Sequence, residues 1–81
     1  MLHIGKESTH SVEEILDKAI KHFGPQGVGL EIEQQTTGAV QLVGAGGHVL
    51  VQAAPLLPDG AEVDIQTQEF EYDARQFLHK I

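Results

Sequence analysis

Val40-Gln41-Leu42-Val43-Gly44-Ala45-Gly46-Gly47-His48-Val49-Leu50-Val51-Gln52-Ala53 holds two apolar runs of period two, separated by a glycine-rich break. Period two places successive side chains on opposite faces of a strand. Pairing Leu42 with Val49 sets Val40 opposite Val51, so a hairpin centred on Ala45-Gly46 keeps both apolar sets on one face. A register that satisfies itself in this way predicts an antiparallel sheet with one buried face.

Outward from the hairpin the same alternation recurs. Upstream, Val28, Leu30 and Ile32 alternate with Glu31 and Glu33, and Gln35-Thr36-Thr37-Gly38 supplies a turn into Val40. Downstream, Pro55 and Pro58-Asp59-Gly60 mark a loop, after which Ala61, Val63 and Ile65 alternate with Glu62, Asp64 and Gln66. The apolar parity then shifts to Phe70 and Tyr72. A bulge near Thr67 to Glu69 explains the shift, and departure of the chain from the sheet is the alternative.

From about Ser11 to Phe23 the period is helical: Val12, Ile15, Leu16, Ala19, Ile20 and Phe23 form one stripe. Ser11 and Glu14 make a capping box, and Gly24-Pro25 offers a left-handed cap followed by a stop. Glu14 with Lys18 and Asp17 with Lys21 are i,i+4 pairs in the favourable order. Asp73 with Gln76 is expected to cap a short last helix carrying Phe77, Leu78 and Ile81, and Leu2 and Ile4 suggest a short first strand. The whole is an α+β two-layer sandwich over residues 1–81, an antiparallel sheet of four to five strands covered on one face by two helices, in the order β-α-β-β-β-β-α. Its expected core comprises Val28, Leu30, Ile32, Val40, Leu42, Val49, Val51, Val63 and Ile65. That order of elements resembles one repeat of the TATA-binding-protein fold, and a stripped-down helix-grip fold, over nearly the whole chain. The likeness is one of topology, and topology does not transmit function.

Composition narrows the function classes. The 81 residues can support one core, since a chain of this size buries about 60–65% of its unfolded surface. Hydrophobic content of 41% and charged content of 21% describe a globular chain, and cysteine is absent, so packing or association must supply its stability. Neither a signal segment nor a membrane span is read from the sequence, which sets the expectation of a cytoplasmic protein. Twelve carboxylates against five Lys and Arg give a net charge of -7, which disfavours nucleic acid and anionic membranes as partners. The five histidines make that charge sensitive to pH near about 6.

Four patterns are candidates for chemistry. Gly44-Ala45-Gly46-Gly47 leads into a strand rather than a helix N-terminus, so a tight hairpin explains it better than a phosphate cradle. Ser8, Thr9, His10 and Ser11 bring hydroxyls beside an imidazole, but adjacent residues rarely make a nucleophile and base, and Ser11 is engaged as a cap. His3, His10, His22, His48 and His79 lack metal-ligand spacing, and no metal or cofactor is expected. The fourth pattern is the polar side of the sheet. Glu31, Glu33, Gln41, Gln52, Glu62, Asp64 and Gln66 share a face with His48 beside the hairpin turn, and Leu50 and Val43 interrupt it with apolar atoms. A wet outer face is the plain reading. The functional reading is a binding surface suited to a protein partner or a second subunit, in a non-catalytic module with a homodimer expected through an edge or a helix. The alternative is a ligand carrier or small enzyme with a pocket between helix 11–23 and the sheet, near Phe23, Phe70, Tyr72 and Phe77.

Overall fold

The chain is described by a computed structural model covering all residues, Met1–Ile81. Its elements are β1 (Leu2–Ser8), α1 (Val12–Phe23), β2 (Glu31–Gln35), β3 (Ala39–Gly44), β4 (Gly47–Pro55), β5 (Ala61–Gln68) and α2 (Glu71–His79). The five strands form one antiparallel sheet in the order β1-β5-β4-β3-β2. Helix α1 packs on β4 and β3, and α2 packs on β5 and β1, so both helices cover the same face. The element order and the two layers are those expected from the alternation of periods.

The hairpin takes the register its apolar residues require: Leu42 faces Val49 and Val40 faces Val51. All four are fully buried. Ala45 and Gly46 occupy the turn with φ of 49° and 81°, the left-handed pair that matches the twist of a two-residue hairpin. The core beneath joins Ile15, Leu16, Ala19 and Phe23 of α1, Ala74 and Phe77 of α2, and the inward residues of β3, β4 and β5. One polar side chain is fully buried among them, Thr67, whose hydroxyl donates to the His48 carbonyl at 2.8 Å.

The start of α1 is the expected capping box. Glu14 N–H donates to Ser11 Oγ at 3.2 Å, and Ser11 N–H donates back to Glu14 Oε1 at 3.3 Å. These bonds, the Ser11 backbone first, hold the Glu14 carboxyl below its ordinary pKa, with a smaller contribution from His10. A depressed carboxyl stabilises the fold above its unfolded pKa, and that contribution is lost as pH falls through the folded value. Ser11→Ala keeps the backbone donor and removes the hydroxyl, so it is expected to raise the Glu14 pKa part of the way toward the ordinary glutamate range in an NMR titration, whereas Ser11→Pro, which removes the backbone donor as well, raises it further. Equal Glu14 titrations in the parent and in Ser11→Pro would show that the cap does not set it.

Several expectations change on contact with the structure. Gly24 closes α1 in an extended conformation, and the left-handed residue is Gly29, at φ 102°. The intervening loop folds back so that Val28 and Leu30 N–H groups reach the His22 and Phe23 carbonyls at 2.9 Å. Neither i,i+4 pair of α1 comes within 4 Å: the side-chain nitrogens that approach a carboxylate this closely are those of His3, at Asp64, and His10, at Glu14. Ile32 is 41% exposed rather than core, because α1 packs chiefly on β4 and β3. Strand β5 runs straight through Thr67 to Gln68 in register with β4, so there is no bulge. The chain leaves the sheet at Glu69, with φ 81°, and this departure produces the parity shift. Helix α2 starts at Glu71 with no side-chain cap, which puts Asp73 inside its first turn.

Candidate functional site

The outer face of the sheet is bare of helices, and the strand registers place its residues in rows. One row crosses all five strands as Gln34, Gln41, Leu50, Gln66 and His3. A second row, of four strands, is Glu31, Val43, His48 and Gln68. On the other side of the first row, Gln52 faces Asp64 and Asp64 faces Gly5, and beyond them Ala54 and Glu7 both face Glu62. The structure therefore brings together Glu31, Gln41, His48, Leu50, Gln52, Glu62, Asp64 and Gln66 on one surface. Val43, Leu50, Gln41, Gln66 and His48 are half-buried by their neighbours, a denser centre within an exposed rim.

Glu33 is the exception. The β2–β3 register shifts between Ile32 and Gln34, so Gln34, not Glu33, stands opposite Gln41. Strict alternation cannot reveal such a slip, because one extra residue exchanges the two faces from that point on. Gln34, Gln68, His3 and Glu7 are the residues of this surface that sequence reasoning missed. For the last two the signal was present, since Leu2 and Ile4 facing inward put their neighbours outward.

Electrostatically the outer face is one-sided. It carries Glu7, Glu31, Glu62 and Asp64 and neither Lys nor Arg. His3 Nε2 meets Asp64 Oδ1 at 3.1 Å, whereas Glu7 and Glu62 face each other directly as like charges. Such an opposed pair weakens a sheet.

The remaining candidates have structural employment. Ser8 Oγ donates to the Ile81 carbonyl at 2.9 Å and accepts from His10 N–H, tying the end of β1 to the residues that follow α2. Ser11 is in the cap, His10 Nδ1 lies 3.5 Å from Glu14 Oε2, and His22 Nε2 donates to the Asp73 carbonyl at 3.0 Å. No three His, Asp or Glu side chains converge as metal ligands. Between α1 and the sheet, where a pocket was the alternative expectation, Phe23 and Phe77 pack with ring centroids 5.4 Å apart and are fully buried. Phe70 packs at the margin of the core, and Tyr72 is 73% exposed on α2.

Every Lys and Arg lies on the helical side of the molecule. A groove of about 540 Å³ between β1 and α2 is lined by Ile4, Gly5, Lys6, Arg75, Leu78 and His79. A smaller one on the other flank of α2 is lined by Lys18, Lys21, His22, Phe77 and Lys80. No carboxylate lines either groove.

No family model, curated protein or solved structure matches this chain. No helix is long and apolar enough to cross a membrane.

Proposed function

We propose that this chain is a non-catalytic protein-interaction module that binds a neutral-to-basic protein surface on the outer face of its sheet. The observation that carries this reading is the composition of that face: an apolar pair, Val43 and Leu50, set among amides, with four carboxylates around it and no cation of its own. Apolar atoms ringed by groups that hydrogen-bond suit a protein contact with a desolvated centre and a polar rim. The opposed carboxylates Glu7 and Glu62 cost the isolated fold stability and would be relieved by an arginine or lysine from a partner. Face-to-face pairing of two copies would instead set four carboxylates against four, which repels at low salt.

Photocrosslinking tests the reading. A photoreactive residue in place of Leu50 is expected to give a discrete protein adduct in cells, and the same residue in place of Glu13 on α1 is expected to give none. Loss of the Leu50 adduct, or equal adducts from both positions, would sink the proposal. A second outcome concerns charge. Glu7→Lys removes the opposed pair, so it is expected to raise the melting temperature of the free chain while weakening the crosslinked complex. A lower melting temperature would show that Glu7 is not held against Glu62 in solution.

A further inference from the structure

The sheet has two edges, and they differ. Strand β2 is short, bulged between Ile32 and Gln34, and fringed with Glu31 and Glu33, all devices that discourage another strand from pairing. Strand β1 is longer and unbulged, and its charged residues are Lys6, turned toward α2, and Glu7. Its seven residues pair with β5 without interruption from Leu2 opposite Thr67 to Ser8 opposite Ala61, and its far side is free. In an antiparallel pair, alternate residues point N–H and C=O away from the partner, so this edge presents a regular ladder of unused donors and acceptors. The groove of Lys6, Arg75 and His79 runs beside it, with Ile4 and Leu78 as its apolar part.

The two cations of that groove, Lys6 and Arg75, have no carboxylate partner. In a chain of net charge -7, no Lys or Arg lies within 4 Å of a carboxylate, the two contacts of that kind being made by the imidazoles of His3 and His10. Lys6 Nζ donates to the Leu78 carbonyl at 2.8 Å, which holds its charge over the groove at the end of α2. Arg75 and His79 are both exposed on α2.

We propose that the free edge of β1 is a docking site for an extended acidic segment of another protein, which adds as a sixth strand. Every second side chain of that strand falls on the helical side, in line with Ile4 and Lys6, and meets Arg75 and His79. The segment therefore carries carboxylates at alternate positions. Its intervening side chains lie beside His3 and Glu7 on the outer face and are neutral. Backbone bonds supply the strand pairing and the groove supplies the choice of sequence, as in other strand-addition interfaces. A second copy of this chain fits poorly, since its own β1 would bring another Lys6 into the groove. A nucleic acid lacks the repeating amide edge that β1 matches, and its phosphates meet the overall negative charge. This site is separate from the outer face and goes beyond that reading.

The test is an NMR titration of the intact chain with a capped synthetic peptide as long as β1 in which glutamate alternates with threonine. A peptide with glutamine for glutamate serves as the control. Amide shifts are expected along Leu2–Ser8 and at Arg75 and His79. Binding of the control is expected to be weaker by about tenfold or more, given the strength of charge-assisted hydrogen bonds. The double substitution Arg75→Gln with Lys6→Gln is expected to remove the preference for glutamate, while Arg75→Gln alone reduces it. Absence of shifts, equal binding of both peptides, or the same shifts produced by a DNA duplex would overturn the proposal. So would β1 shifts that depend on protein concentration without peptide, since a second copy would then occupy the edge. Each result leaves the resonances of Gln41, Leu50 and Gln66 to report on the outer face independently.

Discussion

Phe23→Ala is expected to remove about 3–5 kcal/mol of stability, the range for deleting a buried aromatic ring and leaving its cavity. Phe23 is the last residue of α1 and has no exposed surface. Its ring meets His22 edge-on at 4.8 Å and Phe77 at 5.4 Å, so it is the point at which the two helices and the sheet share one contact. A domain of this size has about 4–12 kcal/mol in total, at the usual stability per residue, so the variant loses a large part of it. Ile15→Ala and Leu16→Ala act on the same stripe and are expected to cost about 2–5 kcal/mol each. Urea unfolding of these variants and of the milder Phe23→Leu measures the series. A Phe23→Ala chain with an unchanged midpoint would mean that α1 does not dock through its C-terminal end.

Gly47→Ala is the second substitution expected to have a large effect, and it acts through space rather than torsion. A Cβ on Gly47 would stand 2.2 Å from the Gln68 carbonyl oxygen, 2.7 Å from Glu69 Cβ and 2.9 Å from Phe70 Cε2. Backbone has to move to admit it, at the place where β5 ends and the chain turns into α2. A cost of at least about 1–3 kcal/mol follows from the usual penalty for overpacking. Two residues away, Ala45 holds a left-handed φ of 49° that glycine adopts more readily. Ala45→Gly is therefore expected to be neutral or to stabilise by up to about 1 kcal/mol. Thermal unfolding of both variants separates the two causes, and equal losses would contradict the distinction.

The parts of the fold that were legible in the sequence are those in which one periodicity runs without interruption. Val40 to Ala53 specified its own register because each apolar residue had only one partner that kept it buried, and Ser11 with Glu14 specified the start of α1 by a local pair of hydrogen bonds. What escaped depends on distant neighbours. Ile32 has the right parity for the core, yet α1 packs chiefly on β4 and β3 and leaves it 41% exposed. Glu33 was assigned to the outer face because a register slip leaves no mark in composition. Gly24 and Gly29 are equally able to take a left-handed turn, and the choice fell to the loop that returns Leu30 N–H to the Phe23 carbonyl. The gathering of all five Lys and Arg into grooves beside α2 is invisible along the chain, where Lys6, the pair Lys18 and Lys21, and the pair Arg75 and Lys80 stand in three separate segments.

The outer face is the centre of the functional reading, and Leu50 sits midway along its longest row. Leu50→Glu adds a fifth carboxylate there without touching the core beneath. The most direct measurement is the affinity of this variant for the protein that crosslinks at position 50, determined by calorimetry on purified components. A loss of about tenfold or more, as for the central residue of an interface, is expected, with the melting temperature of the free chain held within a few degrees. Unchanged affinity in a folded Leu50→Glu chain would contradict a partner contact at the centre of that face.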